Sequence, residues 1–196
     1  ATDTQNKTLK EQFQYYWGVE PSIVTIPVGS LDKLKYPVEP RKKYSLITAS
    51  RLASEKHIDW IIDAVVKAKK EIPQLSLDIY GKGVEEKKLR EQISKLDCEE
   101  YVRLMGQQNL DDIYIKYEAY LSGSTSEGFG LTLMEAVGSG LPIIGFDVPY
   151  GNQTFVKNEK NGYVFSINDK MSTAEKTDKL AESIVRLFRE ANMEEF

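Results

Sequence analysis

The sequence holds one cysteine, Cys98, and one histidine, His57, among 196 residues. A lone thiol cannot close an internal disulfide, which makes a reducing cytoplasm the default setting. No apolar run approaches the ~20 residues that a membrane-crossing helix requires. The opening, Ala1-Thr2-Asp3-Thr4-Gln5, lacks the basic start and apolar stretch of a secretory signal. It also lacks an initiator Met, so the expectation is a piece of a longer protein. Positive charge is not in excess: 26 Lys and Arg stand against 30 Asp and Glu, a net charge of −4. That argues against broad binding to nucleic acid or to an anionic membrane. A small anion could still be held by a few well-placed cations. With 41% hydrophobic and 29% charged residues, the composition is ordinary for one globular domain and a little more.

From Ser45 onward, β-rich runs alternate with helical patterns. Strands are expected over 45–49, 75–80, 101–105, 119–122, 142–146 and 163–167, and helices over 58–71, 84–96, 111–117, 131–139 and 173–191. Ile58, Ile61, Ile62, Val65 and Val66 are spaced for one buried helical stripe. Strands joined by crossovers of this length predict an α/β fold: a Rossmann-like, doubly wound parallel sheet with ligands at the carboxyl ends of its strands. The first 44 residues break the alternation. A helix over 8–16, a strand over 22–27 and a connector over 31–41 with Pro37 and Pro40 suggest the end of a preceding domain and a link to the complete one.

Three features fall at predicted strand ends. Arg51 closes the first strand and Lys56 opens the next helix. Together they form either a diphosphate clamp, with an arginine fork and a lysine point charge, or two solvated cations. Tyr80-Gly81-Lys82-Gly83 allows close approach of a ligand to the backbone, although an ordinary strand-to-helix turn explains it better. The third is Ser126-Glu127-Gly128-Phe129-Gly130-Leu131-Thr132-Leu133-Met134-Glu135-Ala136. Here a glycine turn runs straight into a helix, exposing unpaired N–H groups at the positive end of its dipole. Glu135 sits among Leu131, Leu133, Met134 and Val137, and burying a carboxylate unpaired is expensive. It either accepts hydrogen bonds, a ligand's hydroxyl pair being one source, or lies on the helix's wet side. Glu127 either contacts a ligand or simply favours the dipole.

The combination resembles family 4 retaining glycosyltransferases of the GT-B fold. Arg51 and Lys56 follow the first strand, and Glu127 and Glu135 frame Gly128-Phe129-Gly130-Leu131. The resemblance runs from about Ile23 to Val164. It implies that residues 1–40 are the end of an acceptor domain with its connector, and that 41–196 are the C-terminal, nucleotide-sugar-binding half. It further implies that Arg51 and Lys56 neutralise a donor diphosphate as electrophilic clamps. The backbone of Phe129, Gly130 and Leu131 would hold the distal phosphate. Glu135 would accept the ribose hydroxyls, Glu127 would contact the donor sugar near the reacting centre, and Met105-Gly106 would lie beside the base. Such enzymes work by positioning reactants and stabilising the departing diphosphate, with no metal and no cofactor besides the donor. Asp111-Asp112 could suggest a metal pair, but opening a helix explains it better.

Glu55-Lys56-His57-Ile58-Asp59-Trp60 and Pro149-Tyr150-Gly151-Asn152-Gln153-Thr154 are similar to the bacterial O-linked GlcNAc-transferases that modify serine-rich repeat adhesins, catalytic subunit. This implies UDP-GlcNAc or another UDP-sugar as donor, Ser/Thr of a serine-rich protein as acceptor, retention of configuration and a paralogous non-catalytic subunit as partner. The setting would be cytoplasmic, or peripheral at a membrane through parts outside this chain. Alone, the chain is expected to bind UDP weakly and transfer no sugar. His57 stands where the family commonly has Gly, and Thr132 where it has Pro. Packing at the helix start or a donor-side contact is expected of His57, not catalysis. Alternatives are a teichoic-acid or other glycan transferase of glucose or GlcNAc, a nucleotide-sugar epimerase, and a non-catalytic substrate-binding subunit. The last would be expected to lose the phosphate and ribose contacts, and Arg51, Lys56, Glu127 and Glu135 are all present.

Overall fold

Six short apolar runs pair into one parallel sheet: β1 (Ser45–Ala49), β2 (Ser76–Tyr80), β3 (Val102–Gly106), β4 (Ala119–Ser122), β5 (Ile143–Phe146) and β6 (Gly162–Phe165). The computed structural model describes residues 3–18, 37, 39–149 and 151–190. Its helices are α1 (Asp3–Trp17), α2 (Ile58–Lys69), α3 (Glu86–Lys95), α4 (Leu131–Gly138), α5 (Gly151–Phe155) and α6 (Thr173–Glu190).

The strand order is β3-β2-β1-β4-β5-β6. The chain winds outward from β1 to β3 and then returns to the other side of β1. The reversal therefore lies between β1 and β4, which pair Leu46 with Ala119 and Ile47 with Tyr120. A doubly wound sheet opens its ligand crevice at that point, beyond the carboxyl ends of the strands.

Every residue of β1, β4 and β5 is buried, as strands covered on both faces must be. Side chains alternate across the sheet. Leu46, Leu77, Leu121 and Ile144 pack with Ile61 and Val65 of α2 and Leu180, Ile184 and Leu187 of α6. Ile47, Tyr120 and Ile143 pack on the opposite face with Leu133 and Ala136 of α4. That second core is rich in tyrosine, and the hydroxyls find partners, as buried ones must. The Tyr80 and Tyr117 hydroxyls meet at 2.9 Å, and Tyr117 donates to Asp78 at 2.6 Å. Arg103 donates two bonds to the same carboxylate, at 2.7 and 2.9 Å.

Most expected elements shift at their ends by one or two residues. The expected helix over 111–117 is the larger correction, since only a 3-10 turn forms there, Tyr114–Lys116. Asn109 Oδ1 accepts the Asp111 N–H at 3.1 Å, and such a local side-chain bond competes with helix formation. Asp111-Asp112 thus opens a turn rather than an α-helix. Short α5 was not anticipated. The helix expected over 8–16 extends to Asp3–Trp17, with Tyr15, Tyr16 and Trp17 exposed. The strand expected over 22–27 and most of the connector over 31–41 lie outside the described residues, as does Tyr150.

Candidate functional site

β1 stops at Ala49, two residues before Arg51. Arg51 projects outward with 80% of its side chain exposed and pairs with Glu55 at 3.1 Å. The chain then makes a 3-10 turn, Ser54–Lys56, before α2 begins at Ile58. Lys56 therefore closes a tight turn instead of opening α2. His57 joins the two in the left-handed region, φ 43°, a conformation that favours glycine. Its ring stacks on Trp60, with centroids 3.6 Å apart. This is the helix-start packing expected of it. Burial lowers the His57 pKa, and Lys176 acts the same way against the opposing pull of Asp59 and Glu55.

The turn brings Lys56 to the loop after β4. Lys56 Nζ donates to Glu127 Oε1 at 2.6 Å, and Ser124 Oγ donates to the same oxygen at 2.6 Å. The Glu127 N–H is bonded to Pro149 O at 3.2 Å, tying this loop to the one after β5.

Three residues beyond Glu127, Gly130 caps α4 with φ 76°. The positive φ suits glycine, and an added Cβ would stand 2.9 Å from Leu133 Cδ1. The first-turn N–H groups of a helix have no partner within it, so α4 presents donors here. Phe129 packs edge-on against Phe155 of α5, with centroids 5.6 Å apart. Leu131 is exposed. Glu135, one turn on, is half-buried rather than on the wet side. Tyr114 donates to its Oε2 at 3.0 Å. Burial raises the Glu135 pKa, the Tyr114 bond pulls it down, and nearby Asp111 pushes it up again.

Beside these groups opens a cleft of about 860 Å³, lined among others by Ser50, Arg51, Lys82, Gln107, Gln108 and Thr132. Arg51 lines the cleft from the strand end and Thr132 lines it from α4, so the cleft opens between the two elements that carry the charged side chains. Lys56 and Glu127 touch directly. Arg51 reaches the Lys56 turn through Glu55, and Glu135 shares α4 with Thr132. Tyr120 ties β1 to α4: its hydroxyl donates to Ala49 O at 2.8 Å and lies 3.0 Å from Thr132 Oγ1.

Two further sequence features lie in the loops after β2 and β3. The glycines of Gly81-Lys82-Gly83 make room for neighbouring backbone, while the loop as a whole lines the cleft. A Cβ on Gly83 would be driven into the Leu52 carbonyl, while the Leu52 N–H bonds Lys82 O at 3.0 Å. Met105 packs against the tyrosine-rich core, and its carbonyl accepts from Gln108 Nε2 at 3.0 Å. The glutamines after it, Gln107 and Gln108, line the cleft. Sequence reasoning missed Ser124, Tyr114 and Tyr120. Only Ser124 left a signal, standing three residues before Glu127, near enough in sequence for the two side chains to meet. Among the described residues, no group of three or more His, Cys, Asp or Glu side chains is arranged to hold a metal ion, and no helix is long and apolar enough to cross a membrane.

The family described as Glycosyl transferases group 1 matches residues 32–190. The UDP-N-acetylglucosamine--peptide N-acetylglucosaminyltransferase GtfA subunit of Streptococcus gordonii is 55% identical over 195 residues, all of this chain and 38% of that protein. The crystal structure of the pneumococcal O-GlcNAc transferase GtfA in complex with UDP and GlcNAc superposes with a TM-score of 0.95 at 53% identity, over 100% of this chain and 38% of that one. A GtfA/B complex structure gives 0.89 at 55% identity, over 100% and 39%. The chain thus spans about two fifths of the length of these relatives. Its six-stranded parallel sheet with helices on both faces matches the GT-B fold of those structures. The chain belongs to the group 1 glycosyl transferases.

Proposed function

We propose that this chain is the donor-binding half, residues 41–196, of a retaining glycosyltransferase that carries GlcNAc from UDP-GlcNAc to Ser/Thr of a serine-rich protein, with a paralogous non-catalytic subunit as partner. One observation carries the reading. Lys56, Glu127 and Ser124 meet at the β1–β4 switch point, three residues before the glycine that opens α4. Cationic strand end and helix start then face a diphosphate from two sides. The relatives' names, a peptide N-acetylglucosaminyltransferase and a structure with UDP and GlcNAc, supply the donor and the acceptor class. The GtfA/B complex supplies the kind of partner.

In this reading Arg51 and Lys56 hold the diphosphate. As the glycosidic bond breaks, negative charge gathers on the leaving oxygen, and fixed donors aimed at it lower the barrier. The N–H groups around Phe129, Gly130 and Leu131 add the dipole of α4. Glu127 contacts a sugar hydroxyl and keeps Lys56 in place. Glu135 accepts the ribose hydroxyls, and the turn at Met105 and Gly106, with Gln107 and Gln108, flanks the base. The reaction needs no metal, because these cations and N–H groups supply the positive charge. A UDP-sugar donor and the single thiol of Cys98 suit a cytoplasmic setting.

The test is calorimetric titration of the chain with UDP, UDP-GlcNAc, UDP-glucose and ADP-glucose. Measurable binding of UDP and UDP-GlcNAc, with ADP-glucose weaker, is expected. Equal affinity for ADP-glucose, or no binding of any nucleotide, overturns the reading.

A further inference from the structure

Beneath the helix start, the tyrosine-rich core does something the donor contacts alone do not require. Tyr114 is 1% exposed and is carried by the 3-10 turn between β3 and β4. Its hydroxyl crosses to α4 and donates to Glu135 Oε2 at 3.0 Å. Asp111, from the start of the same loop, and Tyr120, from β4, also face this carboxylate. Asp111 carries like charge and repels it. The Tyr120 hydroxyl is engaged with Ala49 O and Thr132 Oγ1. Tyr114 is therefore the group that grips Glu135 from behind.

We infer that Tyr114 is a positioning residue, which fixes the plane of the Glu135 carboxylate so that its free lone pairs can accept both hydroxyls of a vicinal diol. An ionised carboxylate has about four acceptor sites, and Tyr114 takes one. A bidentate contact to a diol requires the carboxylate plane to be set, and freezing a glutamate's rotamers when the ligand arrives costs affinity. Tyr114 does that freezing in advance. Because Tyr114 comes from the loop that also supplies Gln107 and Gln108 to the cleft, it joins the base side of the cleft to the helix. The inference rests on the reading of Glu135 as the ribose acceptor.

Tyr114→Phe removes one oxygen and keeps the ring in the core. Binding of UDP and of inorganic pyrophosphate to the chain would be measured by calorimetry across acidic and neutral pH, for wild type, Tyr114→Phe, Glu135→Ala and the double variant. A net hydrogen bond of this kind corresponds to a loss of roughly threefold to tenfold in UDP affinity, with pyrophosphate unchanged. The double variant should bind UDP no worse than Glu135→Ala. Without the phenol's lowering effect the carboxyl takes up its proton more readily. The acid limb of UDP binding should therefore move to higher pH, a readout that a purely structural role would leave in place. Equal losses for pyrophosphate, an unmoved acid limb, or fully additive losses would overturn the inference. If Glu135→Ala weakens UDP and Tyr114→Phe does not, the inference alone fails. If Glu135→Ala leaves UDP binding intact, the ribose reading falls and this falls with it.

Discussion

Lys56 Nζ and Glu127 Oε1 stand 2.6 Å apart across 71 residues of sequence, with side chains only 14% and 13% exposed. The pair closes the gap between the turn after β1 and the loop before α4, where the doubly wound sheet changes direction. A pair this sheltered differs from a surface bridge. Each charge has given up most of its water, so removing one leaves the other poorly compensated.

Glu127→Ala should therefore destabilise the chain by about 2 kcal/mol, because both Lys56 and Ser124 lose their acceptor. Glu127→Gln keeps an acceptor oxygen for both and should cost roughly half as much. Urea unfolding midpoints of the two variants would decide. If Glu127→Ala shifts the midpoint no more than a surface substitution does, the pair is solvated and contributes little.

Arg51 makes the opposite case. Its pair with Glu55 has side chains 80% and 44% exposed, and exposed pairs contribute little to stability. Arg51→Ala should leave the unfolding midpoint unchanged while removing a charge-assisted bond to the diphosphate, a loss of roughly 1.5–3 kcal/mol. UDP affinity would fall about tenfold to a hundredfold. An unchanged calorimetric affinity would remove Arg51 from the diphosphate site.

What the chain order makes readable is uneven, and the reason is distance along the sequence. β1 and β4 were legible to the residue because apolar runs of that length between turn residues leave few alternatives. The buried stripe of α2 was legible from its spacing, with Val66 as the half-buried edge. Glu135 stood out as a carboxylate among apolar neighbours, but its partner is 21 residues away on another element. The Lys56–Glu127 contact depends on the strand order, which no local pattern contains. The segment over 111–117 went wrong for a local reason. Tyr114 and Tyr117 are buried, and the Asn109 bond together with these two inward-turning tyrosines holds the segment as a single tight turn. α5 spans five residues, too few for periodicity to register.

Gly83 offers a test of the backbone reading of the Gly81-Lys82-Gly83 loop. There the Lys82 carbonyl accepts the Leu52 N–H, and a methyl group on Gly83 would run into the Leu52 backbone, both its carbonyl and its nitrogen. Backbone cannot yield as a flexible side chain does. Gly83→Ala should cost roughly 1–3 kcal/mol, the range for overpacking a tight contact. Because Gly83 also lines the cleft, UDP affinity should fall as the loop shifts. A variant of wild-type stability that has lost only UDP binding would show instead that the glycine serves the ligand directly.

Glu135 separates stability from binding by sign. Burial, the leading cause, places its folded pKa above the unfolded carboxyl value despite the Tyr114 bond, and Asp111 adds to the rise. A carboxyl shifted upward favours the fold in its protonated form. That contribution is fully present below the unfolded pKa, near pH 4, and is lost as pH rises through the higher folded value. At pH 7 the wild type thus carries the cost of a partly buried negative charge, which Glu135→Gln avoids while still accepting the Tyr114 hydrogen bond. The variant should be more stable than wild type at pH 7, and the two should converge as pH falls toward 4. UDP binding should move the other way, because a neutral amide is a weaker acceptor for hydroxyls than a carboxylate. Unfolding midpoints at both pH values, beside UDP titrations, measure the two effects together. Lower stability of the variant at pH 7 would mean that the charge is already stabilised within the fold, and would remove the argument that Glu135 is held there for a ligand.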